Sequence, residues 1–423
     1  MYPNLLFINP NSMHTPPVIP IGLEYLATAL ENNGYCFKII DLCFSSDPLG
    51  DLNEHLDNNN YDLVGFTIRN IDSTVFFHNE FYLPKIKELI RLVKSRDIPV
   101  ILGGAGFSAM PKQILDYFEA DYGIVGSAEI MLPRFLDLWK EKKVKEKIVD
   151  GNREGIDTTL LHERGILVDY RSYLDENGIV GFETHRGCSG NCPYCVEAKK
   201  KTWFRKIPNI IGELKYLVRK GYHHFHLCDC EFNEDLQFSL EFCQALIEEN
   251  LDMKWALYMR PQPYTKNLIK LLSESKAYLI TLSVDSDERI QQSNNYTYDD
   301  MSKFISYCKK YDIKLAIDLL TGYPDEPIES IKKVFSFFSK KKPSTVGVNF
   351  YYRLFENTEL TALIKNNSSY HDKLSRKLVE GEKFLEPIFY NHYSLKTIKK
   401  LINNDDLFKI AGVVPGVNYQ QDL

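Results

Sequence analysis

Residues 186–195 read Arg186-Gly187-Cys188-Ser189-Gly190-Asn191-Cys192-Pro193-Tyr194-Cys195, with three cysteines separated by three and then two residues, directly after a predicted strand. Thiolates are the usual ligands of iron–sulfur clusters. A structural zinc site takes four ligands, and no fourth Cys or His follows at a suitable local spacing. Three thiolates on a four-iron cluster leave one iron open to another ligand. The pattern predicts a cluster site, with zinc and a remote fourth ligand as the alternative.

Downstream of these cysteines, predicted strands alternate with predicted helices, for example the helices over 207–219 and 235–249. This rhythm is typical of a parallel sheet with right-handed crossovers. Eight strand–helix units close a TIM barrel, so six predict a partial barrel with an open side. The predicted strands are 180–184, 223–227, 254–258, 279–284, 314–319 and 345–351.

The first 140 residues show the same alternation and predict a separate α/β domain with a parallel sheet. Ligands bind beyond the carboxyl ends of such strands, where this chain has small and polar loops. The alternative is that the glycines in these loops serve only the turns. The predicted strands are 5–8, 37–41, 63–67, 100–102 and 122–125.

The composition is that of an ordinary globular chain. Its 423 residues predict two or three domains, with 44% hydrophobic and 26% charged residues. No apolar run approaches the roughly 18 residues of a membrane span, and the N-terminus lacks the features of a signal peptide, so we expect a cytoplasmic protein. A net charge of −6 argues against a dedicated nucleic-acid binder. Nine cysteines in a cytosolic chain favour metal or catalytic roles over disulfides.

The cysteine loop resembles the signature of the radical S-adenosylmethionine (radical SAM) enzymes. The resemblance implies a partial (β/α)6 barrel, in agreement with the six predicted units. It also implies that Cys188, Cys192 and Cys195 ligate a 4Fe–4S cluster whose open iron chelates SAM. Reductive cleavage of SAM would then give methionine and a 5′-deoxyadenosyl radical. Tyr194 matches the aromatic residue that usually contacts adenine in this family.

Other strand ends agree with the family pattern less specifically. Cys228-Asp229-Cys230-Glu231 stands where the family often has a Gly-Gly-Glu type motif for the SAM amino group, although both glycines are absent. Arg260 is placed to clamp the SAM carboxylate. Ser283 and Asp285, at the end of the fourth strand, are placed to bind ribose hydroxyls. A structural role is the alternative at each position. The predicted SAM contacts are Tyr194, Asp229, Glu231, Arg260, Ser283 and Asp285.

Together these motifs resemble the subfamily with an N-terminal cobalamin-binding Rossmann-like domain. The Asp-x-His-x-x-Gly motif that places a His under cobalt in some cobalamin proteins is missing, so we expect no His ligand there. Arg69 follows the third strand and resembles an Arg near the lower face of cobalt in the tryptophan-methylating members, where a cation would favour cobalt(I). Pairing of Arg69 with Asp72 or a phosphate is the alternative. The predicted cobalamin contacts are Asn9, Thr67, Arg69, Asn70, Gly103, Gly104, Phe107, Ser108, Gly126 and Glu129.

The domain prediction is therefore a cobalamin-binding domain over 1–140, a linker over 141–179, a radical SAM partial barrel over 180–368 and a helical C-terminal region over 369–423. Besides Arg69, the candidate catalytic residues are Cys228, Cys230 and Tyr351. Strand alternation sends both cysteines to one side, where they would touch substrate, quench a radical, hold a thiophilic element or only pack.

The leading functional hypothesis is a cobalamin-dependent radical SAM methyltransferase acting on an unactivated carbon of a small molecule or a peptide. The alternative is another radical SAM reaction, such as rearrangement, cyclisation or 3-amino-3-carboxypropyl transfer, with cobalamin non-methylating or absent. A sensor protein is disfavoured because no output module is visible. The expected cofactors are a 4Fe–4S cluster, SAM and cobalamin. The expected partner is a reductant such as flavodoxin or ferredoxin, with no nucleic acid and no membrane.

Overall fold

The computed structural model describes residues 3–158 and 160–414. The chain divides into two compact units. The first comprises Met1–Ser73, Glu80–Gly181 and Trp203–Leu217, and the second comprises Thr74–Asn79, Phe182–Thr202 and Val218–Leu423. None of the helices among the described residues is long and apolar enough to cross a membrane.

The first unit is built on a six-stranded parallel sheet with the strand order β2-β1-β3-β4-β5-β6. Strands that are covered on both faces read as continuous apolar runs, and Leu5–Asn9 is buried along its whole length. The strands are β1 Leu5–Asn9, β2 Phe37–Asp41, β3 Leu63–Thr67, β4 Val100–Gly103, β5 Tyr122–Val125 and β6 Ile148–Asp150.

Helices connect these strands and turn apolar faces inward. In Leu83–Lys94 the buried residues Ile86, Leu89, Ile90 and Val93 recur at helical spacing. The helices are α1 Ile21–Asn32, α2 Pro48–Asn58, α3 Leu83–Lys94, α4 Ala105–Ala109, α5 Pro111–Phe118, α6 Met131–Lys140 and α7 Tyr170–Asp175.

The segment 141–179, for which we predicted a linker, contributes β6 and α7 to this unit. Its Arg164 is fully buried and pairs with Glu24 at 3.1 Å and with Glu213 at 2.7 Å. Arg205 binds the other Glu213 oxygen at 2.7 Å. The polar composition suggested a solvated linker because a charge that is paired in the interior looks the same in sequence as a solvated one.

The second unit contains a seven-stranded sheet with the order β17-β14-β13-β12-β11-β10-β7. The six predicted barrel strands are all present, and the prediction of an α/β fold with two parallel sheets is confirmed. Two short two-stranded sheets pair β8 with β9 and β15 with β16. The strands are β7 Val180–Phe182, β8 His185–Cys188, β9 Lys200–Phe204, β10 His224–Leu227, β11 Lys254–Met259, β12 Ala277–Asp285, β13 Lys314–Leu320, β14 Thr345–Asn349, β15 Tyr352–Arg353, β16 Phe389–Tyr390 and β17 Phe408–Ile410.

The C-terminal region contains the predicted helical structure and also two strands that were not predicted. β17 extends the main sheet by pairing in parallel with β14, Val346 opposite Phe408. A three-residue strand has too little sequence to show a period, so its pairing is decided by the sheet edge it meets. Helix α8 Ile207–Arg219 belongs mostly to the first unit. The helices of the second unit are α9 Leu236–Glu249, α10 Lys266–Glu274, α11 Glu288–Ser293, α12 Tyr298–Lys310, α13 Ile328–Lys341, α14 Glu359–Asn366 and α15 Leu395–Ile402.

Candidate functional site

The cysteine loop lies between the paired strands β8 and β9. Gly187 has a φ of +96°, and a Cβ there would stand 2.2 Å from the Lys201 carbonyl oxygen, so only glycine fits this close approach. At the far side, the Lys199 amide donates to the Gly190 carbonyl at 3.0 Å. The strand pair and this bond close the loop that carries all three cysteines.

Each of the three cysteine sulfurs accepts a hydrogen bond from an N–H group. The Gly190 amide donates to Cys188 and the Glu197 amide to Cys195, both at 3.4 Å. The Asn294 side chain donates to Cys192 at 3.8 Å. Hydrogen bonds to the sulfurs are a feature of iron–sulfur sites, so the loop fits a cluster.

Burial raises the pKa of all three thiols, and that of Cys188 to about 11. A bound metal reverses this preference and deprotonates the thiol. Across the described ranges no three His, Cys, Asp or Glu side chains converge on one metal ion. A four-iron cluster does not require such convergence, because each thiolate binds a different iron.

Glu231 is the best placed of the predicted SAM contacts. Its Oε2 is buried and makes no hydrogen bond among the described residues, and the Ser283 side chain lies beside its carboxyl group. Burial raises the pKa of Glu231 to about 8. A buried carboxyl with an unused oxygen is suited to a cationic group such as an ammonium.

Asp229 has a different role from the SAM contact that we predicted. Its Oδ1 accepts the Thr184 amide at 2.8 Å, and its Oδ2 accepts the Thr184 hydroxyl and lies 3.1 Å from Nδ1 of His185. All three residues are buried. Both carboxyl oxygens are therefore used to hold the chain that enters the cysteine loop.

Glu234 was missed by the sequence analysis and connects Arg260 with the cysteine loop. Its Oε1 accepts the Ser189 amide at 2.6 Å, and its Oε2 lies 3.1 Å from the Arg260 guanidinium. The same guanidinium donates to the Ser189 hydroxyl at 3.2 Å, while its buried Nε has no hydrogen-bond partner in the described part of the chain. Arg260 thus supports the loop and keeps one donor for a ligand. No local motif marked Glu234, because its partners are distant in sequence.

Tyr194 and Asp285 are brought together. The Tyr194 hydroxyl donates to Asp285 at 2.8 Å, and its ring centroid lies 5.1 Å from that of Tyr352. Burial raises the pKa of Asp285 to about 7. The aromatic residue before the last cysteine is therefore fixed by the end of β12.

The three remaining catalytic candidates of the second unit have different surroundings, and Cys230 lies near the loop cysteines Cys188 and Cys195. Tyr351 donates to the Ala411 carbonyl at 3.1 Å and packs in an aromatic cluster with Phe76 and Phe389. Cys228 and Cys230 are exposed. They follow β10, which ends at Leu227, so strand alternation does not apply to them and the argument that it sends both to one side was wrong.

A small, partly open cleft with about 20 Å³ of space lies in the first unit after β1 and β3. Three predicted cobalamin contacts line it, and Arg69 donates to Asn70 at 2.7 Å. The Asn11 Nδ2 is buried and has no hydrogen-bond partner among the described residues, which fits a polar ligand. The lining residues are Pro10, Asn11, Ser12, Thr67, Arg69, Asn70, Tyr82, Lys85 and Ile86.

Four of the polar or cationic lining residues were not predicted from the sequence: Asn11, Ser12, Tyr82 and Lys85. Asn11 and Ser12 lie two and three residues beyond the end of β1, and Tyr82 and Lys85 lie at the start of α3. The prediction considered only residues at the ends of strands. Only the fold brings that helix start to the cleft.

Other predicted cobalamin contacts shape loops rather than line this cleft. Asn9 is buried and donates to Asp41 at 2.8 Å and to the Tyr173 hydroxyl at 3.2 Å. Phe107 is fully buried beneath Gly123, where a Cβ would stand 2.2 Å from its ring. The Phe107 ring therefore packs in the core.

The glycine loops after β4 and β5 are tied to each other. Ser108 donates to the Gly104 carbonyl at 2.9 Å and accepts the Gly126 amide at 2.9 Å. Gly104 has a φ of +98°, and a Cβ there would stand 2.6 Å from the Ile68 carbonyl oxygen. A Cβ on Gly103 would meet no atom within 4 Å, so that residue leaves an open approach. Glu129 is buried.

Two family descriptions match the chain: B12 binding domain over residues 15–136 and Radical SAM superfamily over residues 182–338. Tryptophan 2-C-methyltransferase of Streptomyces laurentii is 23% identical, covering 82% of this chain and 72% of the relative. The radical S-adenosylmethionine methyltransferase TsrM from Kitasatospora setae, solved with cobalamin and a 4Fe-4S cluster, has a TM-score of 0.89 at 21% identity, covering 98% of this chain and 94% of that one. The cobalamin-dependent radical enzyme OxsB has a TM-score of 0.75 at 14% identity, covering 95% and 66%. The predicted family and fold are confirmed.

Proposed function

Since the chain belongs to the cobalamin-binding radical SAM proteins, we propose that it is a methyltransferase that methylates a carbon atom of a small molecule. The proposal rests on one observation. The same chain matches a B12 binding domain and has a three-cysteine loop whose sulfurs accept hydrogen bonds from N–H groups. The relative from Streptomyces laurentii is a carbon methyltransferase by name.

Three groups of residues would hold the cofactors. Cys188, Cys192 and Cys195 would ligate the cluster. Glu231 and the Nε of Arg260 would bind the ammonium and carboxylate of SAM, because Glu231 Oε2 and Arg260 Nε are buried polar atoms without a hydrogen-bond partner among the described residues. The cleft that Arg69 lines would take part of cobalamin. When bound, the cluster supplies electrons to SAM and cobalamin carries the methyl group.

Arg69 would act as a cation beside the cobalamin site. A guanidinium has no lone pair to donate to a metal, so Arg69 would not ligate cobalt. Its charge favours an electron-rich centre by Coulomb attraction. SAM would give up its methyl group and leave as S-adenosylhomocysteine. The acceptor carbon would lose a hydrogen in exchange, as a proton in a polar transfer or as a hydrogen atom taken by the 5′-deoxyadenosyl radical in a radical transfer.

A reducing partner such as flavodoxin or ferredoxin would supply the electrons. We infer that need from the cluster and not from any surface of the protein. The cytoplasm would provide such a partner.

The test is anaerobic reconstitution of the full chain with iron, sulfide and cobalamin, followed by analysis of the products from SAM. Bound iron, bound cobalamin and S-adenosylhomocysteine support the proposal, and 5′-deoxyadenosine beside them indicates a radical route. Cluster without cobalamin, or methylthioadenosine as the product, contradicts it and favours another radical SAM reaction. Cys188→Ala should abolish both the cluster and turnover. Cys243→Ala, a buried cysteine of α9, is the matched control.

A further inference from the structure

Asn294 connects the end of α11 with the cysteine loop. Its Oδ1 accepts the Asn191 amide at 2.8 Å, and its Nδ2 donates to the Cys192 sulfur at 3.8 Å and to the Ile290 carbonyl at 3.1 Å. In return, the Asn191 side chain donates to the Ser293 carbonyl at 3.0 Å. The loop and the helix end are thus joined by a reciprocal pair of amide side chains.

The neighbours of the Asn294 amide fix which of its ends faces the sulfur. The Asn191 N–H requires an acceptor, and the Ile290 carbonyl requires a donor. Rotating the amide by half a turn would place N–H against N–H and oxygen against oxygen. The donor end therefore faces Cys192.

This donor differs in origin from those at the other two cysteines. Cys188 and Cys195 accept from backbone amides of their own loop. Cys192 accepts from a side chain 102 residues later in the chain, while the nearby Tyr194 hydroxyl donates its one proton to Asp285. The Asn294 bond can accordingly be removed by a substitution that leaves the cysteine loop unchanged.

We propose that Asn294 is a positioning residue that raises the reduction potential of the cluster. The inference rests on the proposed cluster at Cys188, Cys192 and Cys195. Reduction would add an electron to the cluster, and the thiolate sulfurs would carry part of the added negative charge. An N–H donor stabilises that added negative charge, and hydrogen bonds to sulfur are one of the ways in which a protein sets the potential.

The test is a redox titration of the reconstituted full-length protein at pH 8, followed by the electron paramagnetic resonance signal of the reduced cluster. Asn294→Asp keeps an oxygen for the Asn191 amide and replaces the donor by an anionic oxygen. We expect the ratio of reduced to oxidised cluster at a fixed potential to fall about tenfold, which is about 59 mV for one electron. Asn295→Asp makes the same change at the exposed neighbouring residue and should leave the ratio close to that of the wild type.

Equal potentials in the wild type and Asn294→Asp, at equal iron content, would overturn the inference. If Asn294→Asp binds less iron, Asn294→Ala is titrated instead. It loses the donor without adding charge, and a fall of about threefold is expected; an unchanged ratio again overturns the inference. A wild-type protein that binds no cluster would refute the proposed function, which is a separate result.

Discussion

Replacing Glu231 with glutamine should stabilise the metal-free protein at neutral pH and leave its stability nearly unchanged at pH 5. Burial raises the pKa of Glu231 from an ordinary value of 4.5 to about 8, and its Oε2 has no hydrogen-bond partner among the described residues. Because the pKa is higher in the folded state, that state retains the proton as the unfolded chain loses it. The stability that comes from this proton is complete below pH 4.5 and is lost as the pH rises towards 8.

The size of the effect follows from these two pKa values. A pKa unit corresponds to about 1.36 kcal/mol. Between pH 5 and pH 7.5 Glu231 loses its proton in the unfolded chain but mostly keeps it in the folded state. The free energy of unfolding therefore falls by about 3 kcal/mol over this pH range. Glutamine has nearly the same shape and no proton to lose, so the variant avoids this loss.

The assay is urea unfolding of the wild type and Glu231→Gln at both pH values, followed by circular dichroism. The stability difference between the variant and the wild type should increase by about 3 kcal/mol from pH 5 to pH 7.5. Glu241→Gln, an exposed glutamate on α9, should show no such increase. A Glu231→Gln difference that is the same at both pH values would refute the reasoning, because the carboxyl group would then ionise in the folded protein as it does in water.

Three further predictions concern the other sites. Cys192→Ala should reduce bound iron to background in a colorimetric assay, whereas Cys308→Ala, a buried cysteine of α12, should retain it; equal iron in both would contradict the cluster assignment. Glu234→Gln removes the anion from the ion pair with Arg260, in which the Glu234 side chain is 3% exposed and the Arg260 side chain 17%. The free energy of unfolding in urea should fall by about 3 kcal/mol. An unchanged midpoint would show that the pair adds no stability. Arg69→Gln should lower the fraction of cobalt(I) several-fold at a fixed potential, measured by absorbance, because a positive charge beside the site is lost; an unchanged fraction would leave Arg69 with a structural role only.

Local patterns predicted the parts of the protein that depend on local sequence. The spacing of Cys188, Cys192 and Cys195 needs only one loop, and most strands of both sheets contain apolar runs. The six barrel strands were therefore found nearly to their ends. The missed strand β17 is three residues long and forms because it meets the edge of β14.

Roles that depend on distant partners could not be predicted in this way. Glu234 accepts a hydrogen bond from Ser189, 45 residues earlier in the sequence, and the sequence around Glu234 does not predict that bond. Asn9 and Phe107 have residue types that suit a ligand, but the fold uses the amide for Asp41 and the ring for the core. Asp229 resembles a motif acid, and its two oxygens are consumed by the backbone and side chains that precede the cysteine loop.

The buried ion network of the first unit also limits where the chain can be cut. Arg164 needs Glu213 as well as Glu24, and Glu213 follows the cysteine loop in sequence while belonging to the first unit. A fragment ending at residue 181 would bury a guanidinium with half of its anions missing, at a cost of about 3–5 kcal/mol. During synthesis, the N-terminal unit therefore cannot complete its interior until residues 203–217 have left the ribosome, and an expression fragment of this unit has to carry the cysteine loop with it.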